Sequence, residues 1–218
     1  MKKFLVFILF ISCASFLHAQ NLPFFEDIQA FKKQDSINFP PKNAILFIGS
    51  SSFTKWTDVQ NYFPSYPIIN RGFGGSTLPD VTRYADDIIF PYHPRQIVIY
   101  CGENDFAYSD TVSTRTVFQR FQQLFQTIRK KRKNIPVLYI SMKPSPARWH
   151  LKDKMTEANT LIKTYLNKQK KTVFVNVWDK MLTEDGKSNP ELFIEDSLHI
   201  NAKGYAIWQM EIEPYLLK

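Results

Sequence analysis

Five short apolar runs, each closed by glycine, proline or a polar residue, alternate along this chain with longer stretches of helical periodicity. The runs fall at 44–48, 67–70, 96–101, 136–141 and 172–177. They are nearly continuous in apolar residues, the pattern of strands buried on both faces. Residues 78–90, 114–133, 153–171 and 201–217 read as helices. In the second of these, Val117, Phe121, Leu124, Phe125 and Ile128 recur at spacings of three and four and make one apolar face. Met155, Ala158, Leu161, Ile162 and Tyr165 do the same in the third. Strands alternating with amphipathic helices predict an α/β fold, a three-layer α/β/α sandwich around a five-stranded parallel sheet. In such folds the loops leaving the carboxyl ends of the strands converge on one crevice.

The N-terminus is set apart from this pattern. Lys2 and Lys3 precede an apolar stretch from Phe4 to Ile11, and small residues follow near Ala19. This reads as a secretory signal peptide over 1–19, with residues 20–218 as one domain of an exported protein. The apolar stretch is shorter than the roughly 20 residues that a stable bilayer span needs. A lipoprotein signal with Cys13 as the modified residue fits less well, because Phe10 stands where an aliphatic residue is expected. With Cys13 removed, Cys101 is left alone, so no intrachain disulfide is possible and stability must come from packing. Cys101 reads as a buried strand-end residue rather than a reactive thiol.

The formal charge is +8, or +6 once Lys2 and Lys3 are subtracted. The basic run at 129–133 closes a helix, where cations suit the C-terminal dipole and face solvent. No zinc-finger, RNA-recognition or phosphate-loop signature occurs, so nucleic acid is not an expected partner. The histidines stand far apart and no HExxH or CxxC is present, so neither a metal nor a cofactor is implied.

Four loop segments carry the chemistry: GSSS at Gly49–Ser52, NRGFGGS at Asn70–Ser76, GEND at Gly102–Asp105 and DSLH at Asp196–His199. Each alone admits a structural reading. The serines can cap a helix, the glycines can make a turn, Asn104 can form an Asx-turn, and His199 can cap or pack. The first three, however, directly follow predicted strands and so share the crevice. Glu103 and Asp105 flank Asn104 but need not face one site, and they receive no catalytic role. His93 and His150 lack a carboxylate partner in sequence and read as surface or pocket residues.

In this order the four segments resemble the SGNH (GDSL) hydrolase superfamily, over about 44–199. The resemblance implies a flavodoxin-like sandwich and a serine esterase. Ser51, two residues after Gly49, aligns with the nucleophile, and Ser50 stands where the family usually has Asp. Gly75 aligns with the oxyanion-hole glycine, with Gly74 as the register alternative, and Ser76 takes the place of the following Asp. Asn104 aligns with the oxyanion-hole asparagine, Asp196 with the acid and His199 with the base. A three-residue separation lets the Asp196 carboxylate bond the His199 Nδ1–H while Nε2 faces Ser51. No GxSxG elbow is present, which disfavours the α/β-hydrolase family.

The expected activity is cleavage of carboxylic esters through an acyl-enzyme. With no visible lid or long apolar loop, acetyl esters of carbohydrates are the preferred substrates. Lysophospholipid or other lipid esters come second, and an O-acetyltransferase or a non-catalytic glycan-binding module are the remaining alternatives. The segment at 141–150, with Lys143, Arg148 and Trp149, lies beside the same crevice either as a pocket wall or as a rigid crossover, and it stays outside the catalytic set.

Overall fold

The computed structural model describes residues 22–218; the leader expected over 1–19, with Cys13, lies outside the described residues. Five strands, β1 (Ile45–Gly49), β2 (Ile68–Gly72), β3 (Gln96–Tyr100), β4 (Val137–Ile140) and β5 (Thr172–Val175), form one sheet. Their order is β2-β1-β3-β4-β5 and every neighbouring pair is parallel. Each coincides with an apolar run of the sequence to within two residues.

The runs are continuous because helices cover both faces. Leu46, Ile48, Ile97, Ile99, Val137 and Tyr139 enter one core, and the intervening Ile45, Phe47, Val98, Tyr100, Leu138 and Ile140 enter the other. That alternation is the period-two rule applied to a sheet with no wet face. The first core is closed by α7 (Thr114–Lys131) and α8 (Lys152–Leu166), through the stripes read from the sequence, except that Leu161 stays outside the core and Leu166 joins it. The second is closed by α3 (Val59–Tyr62), α9 (Ala202–Ile212) and an aromatic cluster in which Trp56 stacks on Tyr205 at 4.5 Å between ring centroids.

Three helical expectations are corrected, the first being the span at 153–171, which ends at Leu166. The span at 78–90 breaks at Tyr84 into α4 (Leu78–Arg83) and α5 (Ala85–Ile88). The final helix stops at Ile212, ahead of Pro214, which cannot continue it. A helix over Phe25–Ile37, which we label α1, was not expected, since only Ile28 is buried on it and no apolar stripe marks it. Ile28 and the half-buried Phe31 dock it on the first core, and polar contacts add to this, with the Asp35 carboxylate accepting from Arg71 and from Tyr92 Oη. The basic run at 129–133 is also less solvent-directed than its composition suggests. Arg129 donates to the Lys170 carbonyl at 3.0 Å and lies 4.7 Å from the Phe125 ring centroid.

The strand order places the site. From β1 the chain moves to one side to make β2, then crosses back past β1 to make β3, so the topological switch lies between β1 and β3. The segments after those two strands are GSSS and GEND. Gly49 sits at the junction with φ of +139°, and a Cβ there would lie 1.9 Å from the Tyr100 carbonyl oxygen. Both the conformation and the space demand glycine. Gly49→Ala is therefore expected to destabilise the fold by about 3 kcal/mol or more. A thermal melt is the check, and an unchanged midpoint would contradict this account of the β1–β3 junction.

Candidate active site

Ser50, Ser51 and Ser52 begin α2 (Ser51–Thr54), but their side chains part company. Ser52 is 1% exposed and Ser50 6%, and Ser50 makes no side-chain cap although it holds the N-cap position. Ser51 alone of the three reaches a base, with its Oγ 2.9 Å from His199 Nε2. On the other side of the ring, His199 Nδ1 lies 2.6 Å from Asp196 Oδ2. A carboxylate only accepts, so Nδ1 carries the hydrogen and Nε2 is left to accept from the Ser51 hydroxyl.

The DSLH turn is rigid for local reasons. Asp196 Oδ1 accepts from the N–H groups of Leu198 at 2.9 Å and His199 at 2.8 Å, and Ser197 between them takes the left-handed conformation with φ of 56°. Asn201 then caps α9, accepting from Lys203 and Gly204 N–H, while its amide ties back to Glu191 and Phe193 carbonyls. Partial burial opposes the charge on Asp196. The hydrogen bonds from the His199 ring and from the two N–H groups outweigh it and hold the carboxyl at about 2.

The second block is tied to the first through Ser76. This residue is fully buried and donates from Oγ to the Gly49 carbonyl at 3.1 Å. Gly75 has φ of +84°, and a Cβ there would meet Tyr108 Oη at 2.9 Å, whereas one at Gly74 would sit at an ordinary 3.9 Å from Ser51 Cβ. The demand for glycine thus falls on Gly75 of the two register choices. Its carbonyl is clamped by Tyr108 Oη at 2.8 Å. Among the described residues, neither the Ser51 nor the Gly75 N–H donates to a protein acceptor.

Asn104 begins the third contribution, on α6 (Glu103–Ala107). Its side chain is buried and forms no Asx-turn; Nδ2 donates to Ser50 Oγ at 2.7 Å and to the Ser76 carbonyl at 2.9 Å. Ser50, at the position where the family usually has Asp, serves as acceptor for this amide. Asp105 points away, accepting from Leu78 N–H and from Arg120.

Sequence reasoning passed over the polar group behind Asn104. Glu103 is 4% exposed and meets Lys143 Nζ at 3.1 Å and Arg148 at 3.1 Å. Arg148 also donates to Asn104 Oδ1 at 2.7 Å. Burial lowers the Lys143 pKa, and the Glu103 charge opposes that shift. The one sequence signal was the placement of a lysine and an arginine in the Pro-stiffened segment after the fourth strand. His93 lies against Arg132, remote from this cluster. Cys101 is buried with its thiol against the Ser76 carbonyl, and burial pushes its pKa up. No group of three or more potential metal-ligating His, Cys, Asp or Glu side chains occurs among the described residues. No helix among them is long and apolar enough to cross a membrane.

The model of the GDSL-like Lipase/Acylhydrolase family matches residues 47–207. Among solved structures, a GDSL-like lipase from Bacteroides thetaiotaomicron is 23% identical, with TM-score 0.70 over 86% of this chain and 95% of that one. The lipase/acylhydrolase from Enterococcus faecalis is 18% identical, with TM-score 0.62 over 79% and 96%. A Clostridium thermocellum family 3 carbohydrate esterase is 15% identical, with TM-score 0.58 over 79% and 96%. These likenesses show the shared fold. No curated protein matches the sequence. The chain belongs to the GDSL-like lipase/acylhydrolase family, which places it among ester-hydrolysing enzymes.

Proposed function

We propose that this chain is an exported serine esterase that cleaves short-acyl esters, by preference acetyl esters of carbohydrates, through an acyl-enzyme. The observation that carries the reading is the continuous Ser51–His199–Asp196 hydrogen-bond chain, at 2.9 Å and 2.6 Å. Ser51 Oγ attacks the ester carbonyl carbon while its proton passes to His199 Nε2. The resulting oxyanion is received by the Ser51 and Gly75 N–H groups and by Asn104 Nδ2, for which the Ser50 hydroxyl yields its place as acceptor. The tetrahedral adduct collapses, the C–O bond to the alcohol breaks, and His199 gives its proton to the leaving oxygen. Water then attacks the acyl-Ser51 carbonyl with His199 again as base, releasing the acid and restoring Ser51. The signal-like N-terminus supports export.

One observation favours lipid esters as the second reading. Tyr108 is 63% exposed beside Gly75, and the Phe24 ring lies next to the same glycine, so apolar surface borders the oxyanion loop. Hydrolysis of p-nitrophenyl esters from acetate to palmitate, run beside acetylated sugars, separates the two. We expect the highest kcat/KM at acetate, a decline with chain length, and acetate release from the sugars. An optimum at long chains would transfer the assignment to lipid esters, and silence on every ester would overturn the enzymatic reading.

A further inference from the structure

An asparagine side chain has two ends of nearly equal size and opposite polarity, and Asn104 works as an oxyanion donor only with its NH₂ end turned to the reacting centre. Three neighbours touch that amide. The Ser50 hydroxyl both donates and accepts, so it favours neither orientation. The Ser76 carbonyl only accepts and faces Nδ2 at 2.9 Å. The Arg148 guanidinium only donates and faces Oδ1 at 2.7 Å. The orientation is therefore set by a donor-only group on one side and an acceptor-only group on the other.

Arg148 is itself held from several directions. Its other arm donates to Glu103 at 3.1 Å, and Glu103 is fixed in turn by Lys143, whose side chain is 3% exposed. The backbone that carries it, Pro146–Leu151, is stapled to the DSLH turn by the Ala147 N–H, which donates to the Ser197 carbonyl at 3.0 Å. The next residue, Trp149, stacks on Trp178 with the rings 6.2 Å apart. One charge-assisted bond thus reaches the back of the amide from a braced loop, draws electron density toward Oδ1 and strengthens Nδ2 as a donor. The group also carries two cations against one carboxylate, a balance that favours negative charge developing nearby.

We propose that Arg148 is a positioning residue for ester cleavage, acting through Asn104 Oδ1 to hold and polarise the oxyanion-hole amide. This rests on the role given to Asn104 above. The test is a double-mutant cycle on p-nitrophenyl acetate with Asn104→Ala, Arg148→Ala and the pair. Removing an oxyanion donor lowers kcat about 10² to 10³-fold, and removing the group behind it is expected to cost about 10 to 10²-fold with KM within about 3-fold. In the Asn104→Ala background the same Arg148→Ala change should alter kcat by less than about 3-fold, because its target is gone. Arg148→Lys should fall between wild type and Arg148→Ala; if Arg148→Ala fails to fold, the Lys variant carries the cycle.

Effects that multiply in the double variant would overturn the proposal, since Arg148 would then act elsewhere, on substrate or on the DSLH turn. A rise in KM with unchanged kcat would overturn it as well. Fluorophosphonate labelling separates these failures from failure of the esterase reading. Wild-type protein labelled at Ser51 upholds that reading whatever the cycle gives, and wild type that neither takes the label nor turns over an ester sinks both.

Discussion

Ser51→Ala is expected to lower kcat/KM on p-nitrophenyl acetate by at least about 10⁴-fold, with the melting midpoint within about 2 °C of wild type. The serine makes its functional contact through Oγ alone, to His199 at 2.9 Å, and removal of a partly exposed hydroxyl opens no large cavity. Ser52→Ala should keep most of the activity, since Ser52 Oγ has no hydrogen-bond partner and is buried away from the base. Ser50→Ala removes one of the two acceptors on Asn104 Nδ2 and is expected to retain a measurable share of turnover. Equal losses at Ser50, Ser51 and Ser52 would contradict the division of labour within the GSSS corner.

Asp196→Asn is expected to cost about 10⁴-fold in kcat with the fold intact. The amide can keep Oδ1 as acceptor for the Leu198 and His199 N–H groups, but its NH₂ end then faces Nδ1 and drives the hydrogen of His199 onto Nε2. The base loses its lone pair on the side of Ser51. Stability gives a second readout. The Asp196 carboxyl stands at about 2 in the folded protein, below the roughly 3.9 of an unfolded chain. Its charged form therefore stabilises the fold fully above about pH 4, and that contribution fades as pH falls through about 2. Asp196→Asn should flatten this part of the acid limb of melting midpoint against pH. An unaltered limb would mean that other carboxylates set it.

The fold was legible wherever burial writes a period into the sequence. The five strands are apolar because both faces are covered, and α7 and α8 carry stripes because one side of each meets the sheet. Helix α1 left no such mark; two apolar residues, Ile28 and Phe31, meet the core, and Asp35 meets Arg71 and Tyr92, residues far along the chain. Breaks inside helices were legible in part. Pro214 marks the end of α9 although the helix read over 201–217 ran past it, while the break at Tyr84, with φ of −94° and ψ of 12°, is flanked by no proline or glycine.

The candidate site divides in the same way. Ser51, Gly75, Asn104, Asp196 and His199 stand in segments that follow the strands, Ser51 and Asn104 in the first turns of short helices, and the switch between β1 and β3 brings GSSS and GEND side by side. The partners of Asn104 were illegible, because Arg148 lies 44 residues away and a single polar contact has no periodicity to betray it. Glu103 shows the limit most clearly. Neighbouring residues on α6 turn to different sides, so the charge beside Asn104 proves to be the anchor of Arg148 and Lys143.

The most direct test of the serine mechanism is a fluorophosphonate adduct mapped by mass spectrometry on the wild-type protein. The account predicts a single adduct on Ser51, lost in Ser51→Ala and strongly slowed in His199→Ala. An adduct on Ser50 or Ser52, or ester turnover that survives in His199→Ala near the wild-type level, would contradict it.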